Sequence, residues 1–448
     1  MCEGKSDLFL SFALMLKKVL ENLKIAQLNE MQLASIKAFK QEGDLVLLSP
    51  TGSGKTLGFL LPVLEKLNPD VTGVQALVLA PSRELALQIE KVFRSMGTGF
   101  KVNCCYGGHS MKTEKNNLEF PPAILIGTPG RIHAHFRENR VDTTSIRMLV
   151  LDEFDKALEM GFQDDMSAII ELLPKLKKRI LISATNAQEI PDFTGIVNPV
   201  VLNYLSDVAP KGLAVKAVQA EGTDKLETLF SLICKLGNKG TLVFCNHRDA
   251  VERISDLLGD YGLIHDIFHG GMEQEDRERA LIKFRNGSHH LLITTDLAAR
   301  GLDIPEIENI IHYQLPPQES AFIHRNGRTA RMHAEGTSYL ILSKEESQPD
   351  YIKENLKFEE LPAKNILPEK SKWATLYIAA GKKEKISKGD VVGLLIQKGK
   401  LQKDELGLIE VQDHATYAAV RRDKIQNLVH DLRNEKIKNK KVKMEVSK

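Results

Sequence analysis

Leu45-Val46-Leu47-Leu48-Ser49-Pro50-Thr51-Gly52-Ser53-Gly54-Lys55-Thr56 decides the fold of this 448-residue chain. Four apolar residues in a row read as a strand buried on both faces, and the glycine-bracketed loop after them closes on Lys-Thr where a helix begins. Glycines let successive backbone N–H groups turn onto phosphate oxygens. Thr51, Gly52, Ser53 and Gly54 therefore form a triphosphate cradle, Lys55 reaches the terminal phosphates, and the Thr56 hydroxyl is a ligand for Mg2+.

Similar Val/Ile/Leu runs recur at Leu45 to Leu48, Ala76 to Ala80, Ala123 to Ile126, Met148 to Leu151 and Ile180 to Ile182. A second set follows an irregular stretch near Tyr204 to Gly212: Leu242 to Phe244, Ile264 to Phe268, Leu291 to Ile293, Asn309 to Tyr313 and Ser338 to Leu342. Strands apolar at every position belong to parallel sheets covered by helices on both faces, so the layout is two α/β domains in tandem. Almost every polar motif sits directly after one of these runs. Ligands of open α/β sheets bind at the carboxyl ends of the strands, which brings the motifs to one edge of each domain. A third segment starts near Ser371, after a Pro- and Lys-containing linker from Leu361 to Lys370.

The length exceeds what one hydrophobic core serves, and 42% apolar with 27% charged residues is ordinary for a globular protein. Cys2, Cys104, Cys105, Cys234 and Cys245 form no Cys-x-x-Cys pair and no Cys/His cluster along the sequence. That argues against structural zinc or a disulfide framework, and a reducing cytoplasm is the expected location. Leu8 to Leu16 is apolar, but acidic residues precede it, Lys17-Lys18 follow it and no small-residue cleavage site is present, so it reads as an amphipathic first helix. No stretch has the length of a membrane span, and no membrane partner is expected. The net charge of +2 conceals an asymmetry: 18 basic and 10 acidic residues lie after Lys370, against 43 and 49 in the first 370 residues. The tail is the basic module, as a polyanion-binding domain requires.

Asp152-Glu153-Phe154-Asp155 follows the run Met148 to Leu151. Nucleotide hydrolysis needs one carboxylate on the hydrated Mg2+ and another to orient or deprotonate water, and Asp152 with Glu153 can divide these roles. His324-Arg325-Asn326-Gly327-Arg328-Thr329-Ala330-Arg331 crowds three arginines whose repulsion an anion would relieve, and guanidinium forks suit phosphate oxygens.

The phosphate loop, Asp152 to Asp155, Ser183-Ala184-Thr185, Thr295-Asp296 through Arg300-Gly301-Leu302-Asp303, and His324 to Arg331 resemble, in order and spacing, the motifs of DEAD-box RNA helicases. Pro81-Ser82-Arg83-Glu84-Leu85-Ala86, Gly107-Gly108, Thr128-Pro129-Gly130-Arg131 and Gln274 to Arg277 also match, so the likeness runs from about Gln32 to Ser343. It implies two RecA-like domains, over 1–205 and 206–360, that use ATP and Mg2+. By this resemblance Gln32 reads adenine, Lys55 and Thr56 hold phosphate and metal, Asp152 joins the metal and Glu153 is the base on water. Arg328 and Arg331 are implied as arginine fingers, Asp303 as a ribose contact, and Ser183, Thr185 and His324 as the coupling between hydrolysis and strand separation. Arg83, Gly108, Thr128, Arg131, Gln274, Arg277 and Thr295 line an RNA track read through sugar and phosphate, which makes the core indifferent to base sequence. The chain departs from the family at Phe154, where Ala is usual, at Ser82, where Thr is usual, and at Leu28-Asn29-Glu30-Met31, which replaces the Pro-rich approach to Gln32.

Trp373 to Lys383, Gly389 to Gly393 and Ala415 to Val420 resemble the C-terminal ribosomal-RNA-binding domain of DbpA-type bacterial DEAD-box proteins. The resemblance implies a small α+β domain of RNA-recognition-motif (RRM-like) fold over 371–448. Tyr377 and Tyr417 are expected on one sheet face where bases stack, with Lys382, Lys383, Lys385, Arg421 and Arg422 as phosphate contacts. The expected protein is a monomeric, RNA-stimulated ATPase that opens duplex RNA, acting on ribosomal RNA in pre-50S particles. A non-catalytic, nucleotide-regulated RNA clamp and a DNA helicase of the same superfamily are the alternatives; sustained ATP turnover with and without RNA separates the clamp, and stimulation by RNA against DNA separates the DNA helicase.

Overall fold

The continuous apolar runs form the inner strands of two parallel sheets in the computed structural model, which describes residues 3–108, 111–185, 190–205, 212–296, 307–329 and 335–447, with side chains from residue 12. The described residues up to 205 form one compact unit and those from 212 onward form another. Among the described residues no helix is long and apolar enough to cross a membrane.

In the first unit the strands are β1 (Leu45–Leu48), β2 (Ala76–Leu79), β3 (Val102–Cys105), β4 (Ile124–Gly127), β5 (Met148–Leu151), β6 (Lys178–Ser183) and β7 (Val200–Asn203). They are parallel and run β3-β4-β2-β5-β6-β1-β7 across the sheet. Successive residues point to opposite faces, so Leu45 and Leu47 join one core with Phe59, Leu60 and Val63, while Val46 and Leu48 join the other with Leu149 and Phe154. The first helix, Glu3–Leu23, is amphipathic as expected: Val19 is buried against the core and Leu14 faces outward.

The second unit begins with β8 (Leu213–Gln219), β9 (Thr241–Cys245), β10 (Asp266–Phe268), β11 (Leu291–Thr295), β12 (Asn309–His312), β13 (Gly336–Leu342) and β14 (Lys357–Phe358). These too are parallel, in the order β10-β11-β9-β12-β13-β8-β14. The tail adds an antiparallel sheet, β16-β17-β15-β20, from β15 (Trp373–Ile378), β16 (Leu406–Val411), β17 (Thr416–Arg421) and β20 (Met444–Val446). A short hairpin, β18 (Lys436–Ile437) with β19 (Lys440–Lys441), precedes the last strand. Ala374, Leu376 and Ile378 of β15 face inward with Ala418 and Val420 of β17, onto Val391, Ile425 and Leu428 of the covering helices.

The outward face of the tail sheet is covered by the parallel-sheet lobe that begins the second unit. Thr375 on β15 accepts a hydrogen bond from Asn286 Nδ2 at 2.8 Å, and its hydroxyl also meets Ser288 Oγ at 2.8 Å. Arg422 donates to the carbonyls of Ser371 and Trp373, at 2.6 and 2.7 Å, and to that of Ser288 at 3.3 Å. Arg285 pairs with Glu410 of β16 at 3.0 Å. The stretch read as a linker is itself held on the lobe, with Asn365 Nδ2 donating to Ser231 Oγ at 2.9 Å. The basic tail is therefore latched to the lobe before it by buried polar side chains.

Candidate nucleotide and RNA sites

Sheet order sorts the motifs of the first unit. The phosphate loop follows β1, the acidic motif follows β5 and Ser183-Ala184-Thr185 closes β6, and these three strands are contiguous. Arg83, Gly108, Thr128 and Arg131 follow β2, β3 and β4, which form the other half of the same carboxyl edge.

On the nucleotide half, Gly54 adopts φ +87, a left-handed conformation costly for any residue with a Cβ, and opens the helix Lys55–Lys66. Asn29, in the segment that departs from the family, caps the helix Glu30–Phe39, forms a capping box with Gln32, and donates through Nδ2 to the Ser53 carbonyl at 2.9 Å. Gln32 Nε2 donates to the Gly54 carbonyl at 3.2 Å. The helix Glu30–Phe39 and its cap thus grip the glycine-bracketed loop directly. Lys55 Nζ donates to the Ser49 carbonyl at 2.8 Å, and the Thr56 hydroxyl lies one residue into the same helix.

Asp152 and Glu153 are buried, at 4% and 7% exposure. Desolvation first, and the neighbouring Glu153 second, push the Asp152 carboxyl up to about 7, opposed by the charge of Lys55. Glu153 sits at φ +46, a strained position for a non-glycine residue, and its Oε2 is buried without a hydrogen-bond partner among the described residues. Two adjacent buried carboxylates, one with an unsatisfied oxygen, are an electrostatic deficit that a divalent cation and its water would cancel, so the donor set fits Mg2+. Thr185 Oγ1 donates to Asp155 Oδ2 at 2.6 Å, and its backbone N–H donates to Ser183 Oγ at 3.0 Å, so Ser183-Ala184-Thr185 is tied to the acidic motif. Phe154 points away from these groups into the core, its ring centroid 6.3 Å from that of Phe193. The bulk that replaces Ala fills space beneath the site and leaves both carboxylates in place.

On the other half of the edge, the Arg83 guanidinium lies over the Tyr106 ring at 5.4 Å. Gly108 takes φ +84, and a Cβ there would stand 2.2 Å from Arg83 Nη2, so only glycine allows the approach. Thr128 precedes the helix Pro129–Arg137, and its N–H donates to the Cys105 carbonyl at 3.1 Å. Arg131 pairs with the buried Glu114 at 3.1 Å.

In the second unit, Gln274 opens the helix Gln274–Arg285 and donates to Glu278 at 2.8 Å, while the Arg277 guanidinium lies over Phe268 at 4.9 Å. Thr295 ends β11, and His324 and Arg328 are buried. The reading of three arginines in want of an anion needs correction for Arg325, which is fully buried and holds Asp296 through two bonds of 2.6 Å. It also donates to the Gln314 carbonyl at 2.8 Å and to Asn246 Oδ1 at 2.7 Å. One guanidinium thereby joins the ends of β9, β11 and β12. Its place in the His324 to Arg331 motif concealed a structural role. Asp303 and Arg331 lie outside the described residues.

Tyr377 and Tyr417 are directly paired across β15 and β17, with ring centroids 5.4 Å apart, and so share a face. Tyr417 is only 6% exposed and Tyr377 half-buried. Burial raises the Tyr417 hydroxyl to about 12, and Arg279, Glu278 and Glu275 of the helix Gln274–Arg285 act on it electrostatically. Lys382 and Lys383 are exposed in the loop after β15. A sequence without a linear Cys/His cluster nevertheless brings Cys105, Glu114 and His135 within 4.8 Å of one another. Glu114, Asn286, Ser288 and Thr375 escaped the sequence reading, because their roles depend on strand order rather than spacing, and Arg422, expected among the phosphate contacts, instead donates to the carbonyls of Ser371, Ser288 and Trp373.

Residues 29–193 match the DEAD/DEAH box helicase family, 224–333 the helicase conserved C-terminal domain and 375–446 the DbpA RNA binding domain. The chain is 30% identical to the ATP-dependent RNA helicase DbpA of Bacillus subtilis (strain 168) over 95% of its own length and 96% of that protein's. It belongs to the DEAD-box RNA helicases of the DbpA type. The Escherichia coli (strain K12) ATP-dependent RNA helicase DbpA is 32% identical, covering 94% of this helicase and 96% of that one. Among solved structures, S. cerevisiae Dbp5 bound to RNA and ADP BeF3 aligns with TM-score 0.67 at 26% identity, covering 74% of this chain and 88% of that one. Mss116p bound to ssRNA and AMP-PNP aligns at 0.65 and 26%, covering 74% and 72%. The helicase is accordingly an RNA-dependent ATPase with RNA-binding domains on both sides of residue 370.

Proposed function

We propose that this helicase remodels structured ribosomal RNA during large-subunit assembly, hydrolysing ATP in its paired lobes while the basic tail selects the RNA. The observation that carries the chemistry is the buried Asp152–Glu153 pair at the strand edge beside Lys55. In this reading the backbone N–H groups of Thr51 to Lys55 receive the triphosphate, and Lys55 exchanges the Ser49 carbonyl for a terminal phosphate. Gln32 reads adenine from the helix that already grips the loop. Thr56 and Asp152 hold Mg2+, which supplies charge neutralisation of the phosphates when bound. Glu153 accepts the proton of the attacking water. Arg328 and Arg331 stabilise charge on the transferring phosphoryl group, and Asp303 holds the ribose. Ser183, Thr185 and His324 relay nucleotide state to the RNA groups.

Arg83, Gly108, Thr128, Arg131, Gln274, Arg277 and Thr295 hold the sugar–phosphate backbone of the RNA. Selection of ribosomal RNA falls to the tail, where the match to the DbpA RNA binding domain and the excess of basic residues support it. Tyr377 offers the more accessible aromatic surface, and Lys382 and Lys383 the phosphate contacts.

The test is a steady-state ATPase assay with ribosomal RNA fragments and with unrelated RNA, on the full chain and on a chain ending at Lys370. Lys55→Ala and Glu153→Gln are expected to lower turnover by about a hundredfold or more. The shortened chain is expected to lose its preference among RNAs. Wild-type turnover in Glu153→Gln would remove it as the base, and equal stimulation of the full chain by all RNAs would remove the ribosomal target.

A further inference from the structure

We infer that Glu114 is a positioning residue for RNA binding and acts by fixing the Arg131 guanidinium; the inference rests on Arg131 belonging to the RNA track. Glu114 lies on the helix Met111–Leu118, and its carboxylate is 2% exposed. Its Oε1 accepts the backbone N–H of Tyr106 at 3.0 Å. Its Oε2 accepts from Arg131 Nη1 at 3.1 Å and from His135 Nε2–H at 2.7 Å, and His135 is fully buried.

A carboxylate taken out of water is costly unless donors replace its hydration, and here three donors do so from two other segments. Tyr106 is the residue before Gly107-Gly108. Arg131 and His135 lie four residues apart, one turn of the helix Pro129–Arg137, so both face the same carboxylate. Glu114 therefore joins the glycine pair beside Arg83 to the helix that carries Arg131. A long side chain on the surface would sample many rotamers, and binding RNA would have to freeze them. An arginine already held by a buried carboxylate has lost that freedom in advance, so its contact with a phosphate costs less.

The nearness of Cys105 gives the cluster the composition of a metal site. The geometry favours a clamp, because both carboxylate oxygens already accept protein donors and one donor is a guanidinium that would repel a cation. Burial also pushes the Cys105 thiol up, which keeps the sulfur protonated.

A double-mutant cycle on the full chain tests the inference, reading the RNA concentration that half-saturates ATPase stimulation for wild type, Glu114→Gln, Arg131→Ala and the double variant. Gln keeps the shape and still accepts from Tyr106, but it abolishes the ion pair. Each single change is expected to raise the half-saturating RNA concentration about tenfold, and Glu114→Gln is expected to add less than about twofold once Arg131 is gone. Effects that multiply in the double variant would show that Glu114 serves the fold rather than Arg131, and would overturn the inference while the RNA-track reading stands. An unaltered half-saturation in Arg131→Ala would instead overturn the track reading, and the inference with it. Glu114→Asp, which keeps the charge but withdraws it from Arg131, carries the same cycle if the Gln variant fails to fold.

Discussion

His312 is enclosed at the end of β12, where its Nε2 meets Asn326 Oδ1 at 3.2 Å and Ser338 Oγ at 2.9 Å, and its Nδ1 faces Arg325 Nη1 at 3.4 Å. Burial first, and the Arg325 charge second, hold its imidazole well below the ordinary histidine value. In acid the unfolded chain therefore takes up a proton at this position that the folded second unit refuses. The stability from the neutral ring is full above roughly pH 6.5 and declines as the pH falls below it. The melting temperature of the wild type should drop faster than that of His312→Gln between about pH 7 and pH 5, where the variant has no imidazole to titrate. Parallel melting curves against pH would assign the acid sensitivity elsewhere. Arg325 shows the same limit of single residues. Its sequence neighbours make it read as one of three arginines in want of an anion, yet Asp296, Asn246 and the Gln314 carbonyl, each from a different strand end, make it a tie within the lobe.

At the scale of elements, the Gly107-Gly108 turn sets a contrast between two adjacent glycines. A Cβ on Gly107 would meet nothing within 4 Å, whereas one on Gly108 would collide with the Arg83 guanidinium from a left-handed backbone. Gly108→Ala should weaken RNA binding severalfold by displacing Arg83, while Gly107→Ala should stay within about twofold, as expected of an unstrained surface change. Titration of labelled single-stranded RNA distinguishes them, and equal losses would refute the steric account. The inner strands were legible from the run of apolar residues alone: β1, β2, β4 and β5 fall within a residue of the expected stretches. Those that escaped are mainly at sheet edges or beside them. β3 carries the polar Asn103, β7 alternates between half-buried and exposed residues, and β8 is interrupted by Lys216. A strand with one wet face or one open edge has no need of continuous apolarity, so periodicity gives no signal for it.

Over the whole molecule, the consequence of greatest reach is that the basic tail is fastened to the second lobe by Asn286, Ser288, Thr375 and Arg422. An RNA held by the tail is thereby held at a fixed place relative to Gln274, Arg277 and Thr295. Replacing both Asn286 and Arg422 with Ala should release the tail while leaving its own core, Leu376, Val391 and Leu428 among others, intact. Limited proteolysis within residues 361–370 should accelerate about tenfold or more in that variant, as expected when local opening loses buried hydrogen bonds. Cleavage at the wild-type rate would mean that the latch contributes little.

The sequence by itself determined the family and the architecture. A glycine-bracketed loop and adjacent carboxylates at strand ends need only local spacing to suggest a nucleotide site, because strand, turn and helix are short-range structures with short-range signatures. Tertiary structure alone decided which residues serve those groups. Glu114 beneath Arg131, Asn29 on the phosphate loop, Asp296 against Arg325 and the occupied face around Tyr417 join elements distant in the chain. Buried charge and hydrogen bonding are satisfied by whichever neighbour strand order supplies, and strand order is not written in the spacing of residues.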